Sequence, residues 1–404
     1  MPFRLALSGL NAASTDLTVT ANNVANVATA GFKASRAEFA DLFAASNVGV
    51  SATAIGNGVR VSNVSQQFTQ GNIDFTDNSL DIAISGQGFF VLSDNGALSY
   101  TRAGSFQVDR NGYVVNHKQQ RLQVYPPLPN GGFNTGGLQD LSLTTGVSPP
   151  QATSRVDVTL NLPSSAQIPP NPIFDVTDPS SYNHATSLTI YDSLGAAHTA
   201  TMYFVKTAAN TWDARLFVDG AAVGGPQQLT YSNTGELVDP PNGEIGFPPY
   251  PPATGANDIN LTFDFTTTTQ FGDTFTVSAL PQDGYTTGRL IGVDIDASGI
   301  VQARFTNGRS LPLGQIALAN FSNPQGLQQL GDTTWAETFA SGQALRGQAG
   351  NSGFGLIQSG ALEASNVDIT EQLVNMITAQ RNFQANAQMI STADSITQTI
   401  INIR

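Results

Sequence analysis

The chain has 404 residues, no cysteine and a formal net charge of −13, with 40% of residues hydrophobic and only 12% charged. That length suits two or three domains, the missing cysteines exclude disulfides, thiolate metal sites and cysteine nucleophiles, and the acidic balance argues against nucleic acid or an anionic membrane as partner. No stretch approaches the ~18 apolar residues of a membrane span, and Met1 to Leu10 holds one arginine and no continuous apolar run, so neither membrane insertion nor a cleavable secretory signal is expected.

Phe3, Leu10, Leu17 and Val24 recur every seven residues, with Ala6, Ala13, Thr20 and Val27 as a second row three residues on. The pattern predicts a helix over 1–31 that packs lengthwise on another helix. Asn11, Thr15, Asn22, Asn23 and Asn26 fill much of its other surface. Gly31 is expected to stop it, with Phe32 in the apolar position of a Schellman cap.

Residues 32–70 read as a connector. Lys33, Arg36, Glu38 and Asp41 alternate with Phe39, Leu42 and Phe43; Ser51 to Gly58 reads as an extended loop, and Val59, Val61 and Val64 predict a strand. From Gly71 the period changes to two: Leu80, Ile82 and Ile84 alternate with polar residues, and Gly86-Gln87-Gly88-Phe89-Phe90 opens a second strand. Asn95-Gly96 and Asn111-Gly112 are hairpin signals. An inner β domain is expected over 71–145 and 286–361.

Between these halves, 146–285 differs in composition. It holds most of the prolines and thirteen acids against only Arg155, Lys206 and Arg215. Strands alternate at Val156/Val158/Leu160, Met202/Phe204 and Leu261/Phe263/Phe265. An inserted, solvated, acidic β-sandwich or barrel is expected here.

The last segment, 362–404, mirrors the first. Ile369, Met376, Phe383, Ile390 and Thr397 fall seven apart; Gln372, Ala379, Asn386, Ala393 and Ile400 are the companion row, and Leu373 and Ala387 widen the stripe. Asn366 reads as the N-cap, with Asp368 and Glu371 in the first turn. An amphipathic helix at each end of a globular enzyme would show similar stripes. Two features separate the cases. Both helices are rich in Asn, Thr, Gln and Ser, so packing must hold them. The second also carries Val374, Ile377, Met389 and Ile396 off the stripe, which demands more than one partner. The expected fold is mixed but mainly β: two nested β domains and a coiled-coil pair joining the chain ends.

Little chemistry accompanies this architecture. His117, His184 and His198 show no metal-ligand spacing, and no nucleotide-binding, metalloprotease or nucleophile motif occurs. Asp294, Asp296 and Ser298-Gly299 look like half a calcium loop, but the twelfth position holds Phe305 instead of Glu, and a hairpin turn is the plainer reading. No enzyme activity, cofactor or metal is expected.

Three stretches resemble one known family. Ala21-Asn22-Asn23-Val24-Ala25-Asn26-Val27-Ala28-Thr29-Ala30-Gly31-Phe32-Lys33 is similar to the signature of the bacterial flagellar rod and hook proteins. Ile84-Ser85-Gly86-Gln87-Gly88-Phe89-Phe90 resembles the start of their shared β domain, and Leu362-Glu363-Ala364-Ser365-Asn366-Val367-Asp368 the approach to their C-terminal helix. Length and the acidic insert favour the hook branch over the distal rod. The resemblance implies a structural subunit that polymerises into a hollow, flexible helical tube, a universal joint carrying torque from rod to filament. Terminal helices would line an export channel, with the β domains outside them. It further implies contacts with a distal rod protein, a hook cap protein and a hook–filament junction protein. Export through the flagellar type III apparatus would place the chain in the basal body and hook, outside the cell. On this reading Phe3, Leu10, Leu17, Val24, Val27, Ile369, Leu373, Met376, Phe383, Ile390 and Ile400 carry assembly. Two other readings stay open: a distal rod protein with an unusual insert, and an adhesive carbohydrate-binding protein using Tyr182, Trp212 and Tyr250.

Overall fold

The computed structural model describes residues 2–42, 56–143 and 147–402. The chain divides into two compact units: residues 1–144, 292–304 and 310–404, and residues 145–291 with 305–309. The second unit therefore claims 286–291 and 305–309, which the sequence had placed with the inner β domain.

The first unit begins with helix α1, Pro2–Ala25, and ends with helix α2, Ile369–Asn402. At about 1.5 Å per residue they are roughly 36 and 51 Å long. Each is shorter than expected. α1 stops six residues before Gly31 and continues as turns. α2 starts at Ile369 rather than directly after Asn366, and ahead of it Ala361–Glu363 pairs as a strand with Ile73–Phe75. The connector is not loop alone. Strand β1, Ser35–Asp41, pairs antiparallel with β2, Val59–Gln66, from Ser35–Gln66 to Asp41–Val59. Phe43 and most of the expected Ser51-to-Gly58 loop lie outside the described residues.

The main sheet of this unit runs Ile300–Phe305, Ser310–Asn320, Arg121–Tyr125, Phe89–Asp94, Ala97–Thr101, Thr334–Ala336, Gln328–Gly331, with antiparallel neighbours. Segments from before and after the insert thus interleave. The Phe89–Asp94 strand explains its own continuous apolar run. Phe90 and Leu92 enter one core with Ile84, Val124 and Leu318, while Phe89 and Val91 enter another with Tyr100, Phe321 and Trp335. Successive side chains point to opposite faces, so a strand covered on both sides loses polar alternation. Its hairpin to Ala97–Thr101 closes through Asn95 and Gly96, both at positive φ (51° and 98°), as a two-residue turn of the primed type requires.

In the second unit the strands His184–Tyr191, Ala197–Ala208, Thr211–Val218, Gln227–Tyr231 and Leu237–Asp239 lie side by side in one sheet. Ala200, Met202, Phe204, Trp212, Ala214 and Leu216 alternate inward onto a core shared with Val156, Leu160, Phe263 and Phe265 from smaller sheets. The aromatics proposed for sugar stacking are used structurally. Trp212 is wholly buried with its indole N–H on Gln270, Tyr182 packs edge-on to Tyr203, and Tyr250 faces Asp219.

Candidate functional site: the terminal helix pair and its clasp

The seam between α1 and α2 is made of small residues. Ala6, Ala13 and Thr20 are buried on α1 and Ala379 on α2, and a Cβ on Gly9 would sit 2.4 Å from Asn386 Oδ1. Within the chain the two rows differ in burial. The Ala6 row fills the contact, whereas Leu10, Leu17, Val24, Val27, Met376, Phe383 and Ile390 are only partly buried, and Phe3, Ile369 and Leu373 are about half exposed. The Ile400 side chain lies outside the described residues. Small residues let the backbones approach closely, and the larger side chains are displaced to the flanks. What they leave uncovered is a second apolar face on α2: Val374, Ile377, Met389 and Ile396, each 49–58% exposed.

Three polar devices fix the helices to the β framework. Asn23 is buried on α1 and treats Ser35 as a strand would: Ser35 N donates to Asn23 Oδ1 (2.9 Å), and Asn23 Nδ2 donates to Ser35 O (2.8 Å) and to Gln372 Oε1 on α2 (3.1 Å). Asn22 and Asn26 build the turn after α1, with Asn26 Nδ2 donating to Asn22 O (2.9 Å). Asn366 does for the second helix what Asn23 does for the first. Its Nδ2 donates to Gln67 O (2.8 Å), and its Oδ1 accepts from Ala34 N (2.8 Å). It is therefore not the N-cap. That role falls to Asp368, whose Oδ1 accepts from Thr370 N (2.7 Å) and Glu371 N (3.2 Å). Ser365 Oγ accepts from Val367 N (3.3 Å), and Val367 is buried beneath this turn.

The third device joins all three sequence motifs. Lys33 Nζ lies 2.6 Å from Glu363 Oε1, and Arg102 Nη1 lies 3.2 Å from Glu363 Oε2, with all three side chains at most 5% exposed. Lys33 also donates to Thr69 O (2.8 Å), Arg102 Nη2 to Gly86 O (2.8 Å) and Gly71 N to Glu363 Oε1 (3.0 Å). Burial pulls the Lys33 ammonium and the Arg102 guanidinium below their usual ranges, opposed by the Glu363 carboxylate. Gly31 N donates to Glu363 O (2.7 Å), and Gly31 holds φ +69° with no room for a side chain, since a Cβ would lie 2.5 Å from Ala103 N. Gly86 and Gly88 likewise hold φ +119° and +126°. They turn the chain so that Phe90 meets Phe106, while Phe89 meets Phe68, Phe321 and Trp335, all edge-on.

Phe32 is partly buried beside this clasp. Arg102 was missed by sequence reasoning, because its partner is 261 positions away and nothing local marks it. Glu363 stood within a quoted motif but carried no assigned role. The half calcium loop is the hairpin turn. Asp296 Oδ1 is occupied by Ser298 N, Ser298 Oγ and Ile300 N, and Asp294 pairs with Arg304 Nε at 2.7 Å.

The comparisons with known proteins follow the same layout. Residues 3–33 match the flagella basal body rod protein family, 83–190 the flagellar hook protein FlgE/F/G D1 domain, 161–285 the flagellar basal body protein FlaE D2 domain, and 358–403 the flagellar basal body rod FlgEFG protein C-terminal family. The chain is 40% identical to the flagellar hook protein FlgE of Salmonella typhimurium, over all of both chains. It is 39% identical to that of Escherichia coli K12, again over all of both chains, and 33% identical to that of Borreliella burgdorferi over 98% of each. The crystal structure of Helicobacter pylori flagellar hook protein FlgE2 shares the fold, with a TM-score of 0.55 and 14% identity, covering 72% of this chain and all of that one. The chain belongs to the flagellar hook protein family.

Proposed function

We propose that this chain is the structural subunit of a flagellar hook, polymerising into a hollow, flexible helical tube that joins rod to filament, carries torque and encloses an export channel. The observation that carries this reading is the division of labour on α2. One side is filled by the small-residue seam with α1. The other presents Val374, Ile377, Met389 and Ile396 to solvent. Further copies of the chain would cover that face, as an apolar helix surface demands. The role is structural and involves no reaction. Partners at the two ends of the tube would be a distal rod protein below, and a hook cap protein then a hook–filament junction protein above. Subunits would reach the growing end through the flagellar type III apparatus and act outside the cell.

Gold-labelled antibody raised against the 145–291 unit tests the assignment on whole cells. Label confined to the short curved segment between cell surface and filament is expected. Label along the filament, or scattered over the cell surface as for an adhesin, would overturn it.

A further inference from the structure

We propose that Phe339 anchors a head-to-tail contact between copies of this chain, seating in the cleft that Phe32 and Trp335 floor in the next copy. The inference rests on the polymer reading above. Phe339 has a relative exposure of 105%, the largest of any large hydrophobic residue among those described. It does not sit on a loose loop. Thr338 N donates to Ser341 Oγ (2.9 Å), Thr338 Oγ1 to Gly326 O (2.6 Å) and Asn323 Nδ2 to Ala340 O (3.0 Å), while Ser341 is wholly buried. Gly326 lies so close that a Cβ there would meet the Ala340 carbonyl carbon at 2.5 Å. The backbone on both sides of Phe339 is thus fixed, while its ring is left in water with no use within its own molecule. Aromatics presented from a preorganised backbone are common interface anchors.

The cleft has a volume of about 330 Å³ and is lined by Asn26, Thr29, Phe32, Gln66, Thr333 and Trp335 among others. Its floor is fixed: Trp335 Nε1 donates to Gln66 Oε1 (2.7 Å), and the ring meets Phe68 and Phe89 edge-on at 5.6 and 5.7 Å. Its rim is a tight hairpin turn: Asp332 and Thr333, at φ +48° and +54°, form the two-residue primed loop between Gln328–Gly331 and Thr334–Ala336. Lys118 pins the rim through Asp332 at 2.7 Å.

Knob and cleft flank the same strand, Thr334–Ala336: the rim precedes it and Phe339 follows it. Phe339 is fully exposed, so it does not occupy its own cleft. Joining the knob of one copy to the cleft of another uses two different surfaces, and a heterologous contact of this kind propagates as a helix when it does not close into a ring.

The absence of native cysteine gives a clean test. The exposed neighbours Ala340 and Thr29 are changed together, Ala340→Cys with Thr29→Cys, which leaves Phe339 and the cleft floor in place. Assembled tubes are treated with a short bis-maleimide. A ladder of covalent multimers from the double variant, absent from either single variant, is expected. Phe339→Ser should leave the monomer melting temperature unchanged and raise the critical concentration for assembly at least about tenfold. Tubes of the double variant that give no ladder, or Phe339→Ser tubes forming at the wild-type concentration, would overturn the contact. A wild-type chain that forms no tubes at all would instead overturn the polymer reading itself.

Discussion

Replacing Glu363 by glutamine removes the one negative charge at the point where the three motifs meet. The shape is nearly kept, but Lys33 and Arg102 are left as buried cations at 0% and 5% side-chain exposure with no counter-charge. Breaking a buried ion pair in this way costs about 3–5 kcal/mol, because an uncompensated charge stays in a medium that solvates it poorly. Water cannot repair the loss, since Glu363 itself is wholly buried. The chain holds two tryptophans, Trp335 in the clasp's unit and Trp212 in the other. In a Trp212→Phe background, urea unfolding followed by tryptophan emission therefore reports the clasp's unit alone. At an m-value of about 2–3 kcal/mol per molar, the midpoint should fall by roughly 1–2.5 M with its slope unchanged. Asp294→Asn, which breaks the exposed pair to Arg304, should barely move it. A Glu363→Gln midpoint indistinguishable from that of Asp294→Asn would refute the reasoning. A further check uses apolar replacement of all three charges, Lys33→Met with Arg102→Met and Glu363→Leu. That protein should be more stable than Glu363→Gln, since no charge then remains buried.

Gly31→Ala forces an L side chain into the left-handed region, at about 1–2 kcal/mol, and onto the backbone of Ala103, so the same emission assay should show a loss larger than that conformational cost alone. In the second unit, His198 Nδ1 lies 2.6 Å from Asp219 and Nε2 3.3 Å from Asp192. Burial pushes the imidazole down, but the two carboxylates outweigh it and raise it above its ordinary range. The stability it contributes is therefore complete below the unfolded imidazole range and is lost as pH rises through the raised folded value. Asp192 is raised by burial, yet Thr254, the Ala196 N–H, His198 and the Leu194 N–H hold it down to about 2, so its contribution is present above the ordinary carboxylate range and lost as pH falls toward that value. Trp212 emission during unfolding should thus show a stability maximum between these limbs, and His198→Asn should remove the alkaline one; an unchanged alkaline limb would contradict the assignment. Val374→Asp and Ile377→Asp alter exposed positions on α2, so monomer stability should stay within about 0.5 kcal/mol while tube assembly is lost. Tubes assembling normally from either variant would remove that face from the interface.

Spacing made the terminal helices legible, since a seven-residue repeat in Phe3–Leu10–Leu17–Val24 has few other uses. It did not reveal which row faces the partner. The larger residues look like the natural core, but close approach of α1 and α2 selected Ala6, Gly9 and Ala13 instead. The strand just ahead of α2 was not legible, because tertiary pairing overrides local preference there. Ala361–Glu363 has no strand alternation of its own and becomes extended only because Ile73–Phe75 is there to pair with it. The charged Ser35–Asp41 segment became a strand for the same reason, against Val59–Gln66. The motif residues were legible as a set, yet the reason they occur together was not. Lys33, Arg102 and Glu363 meet across sequence separations of 261 and 330 residues, which no local pattern encodes.

The most direct test of the hook assignment is electron microscopy of cells lacking this chain, with and without complementation. The account predicts basal bodies with complete rods but no hook or filament, and both restored by the wild-type chain. Basal bodies halted within the rod would make it a rod component, and intact flagella would contradict the account altogether.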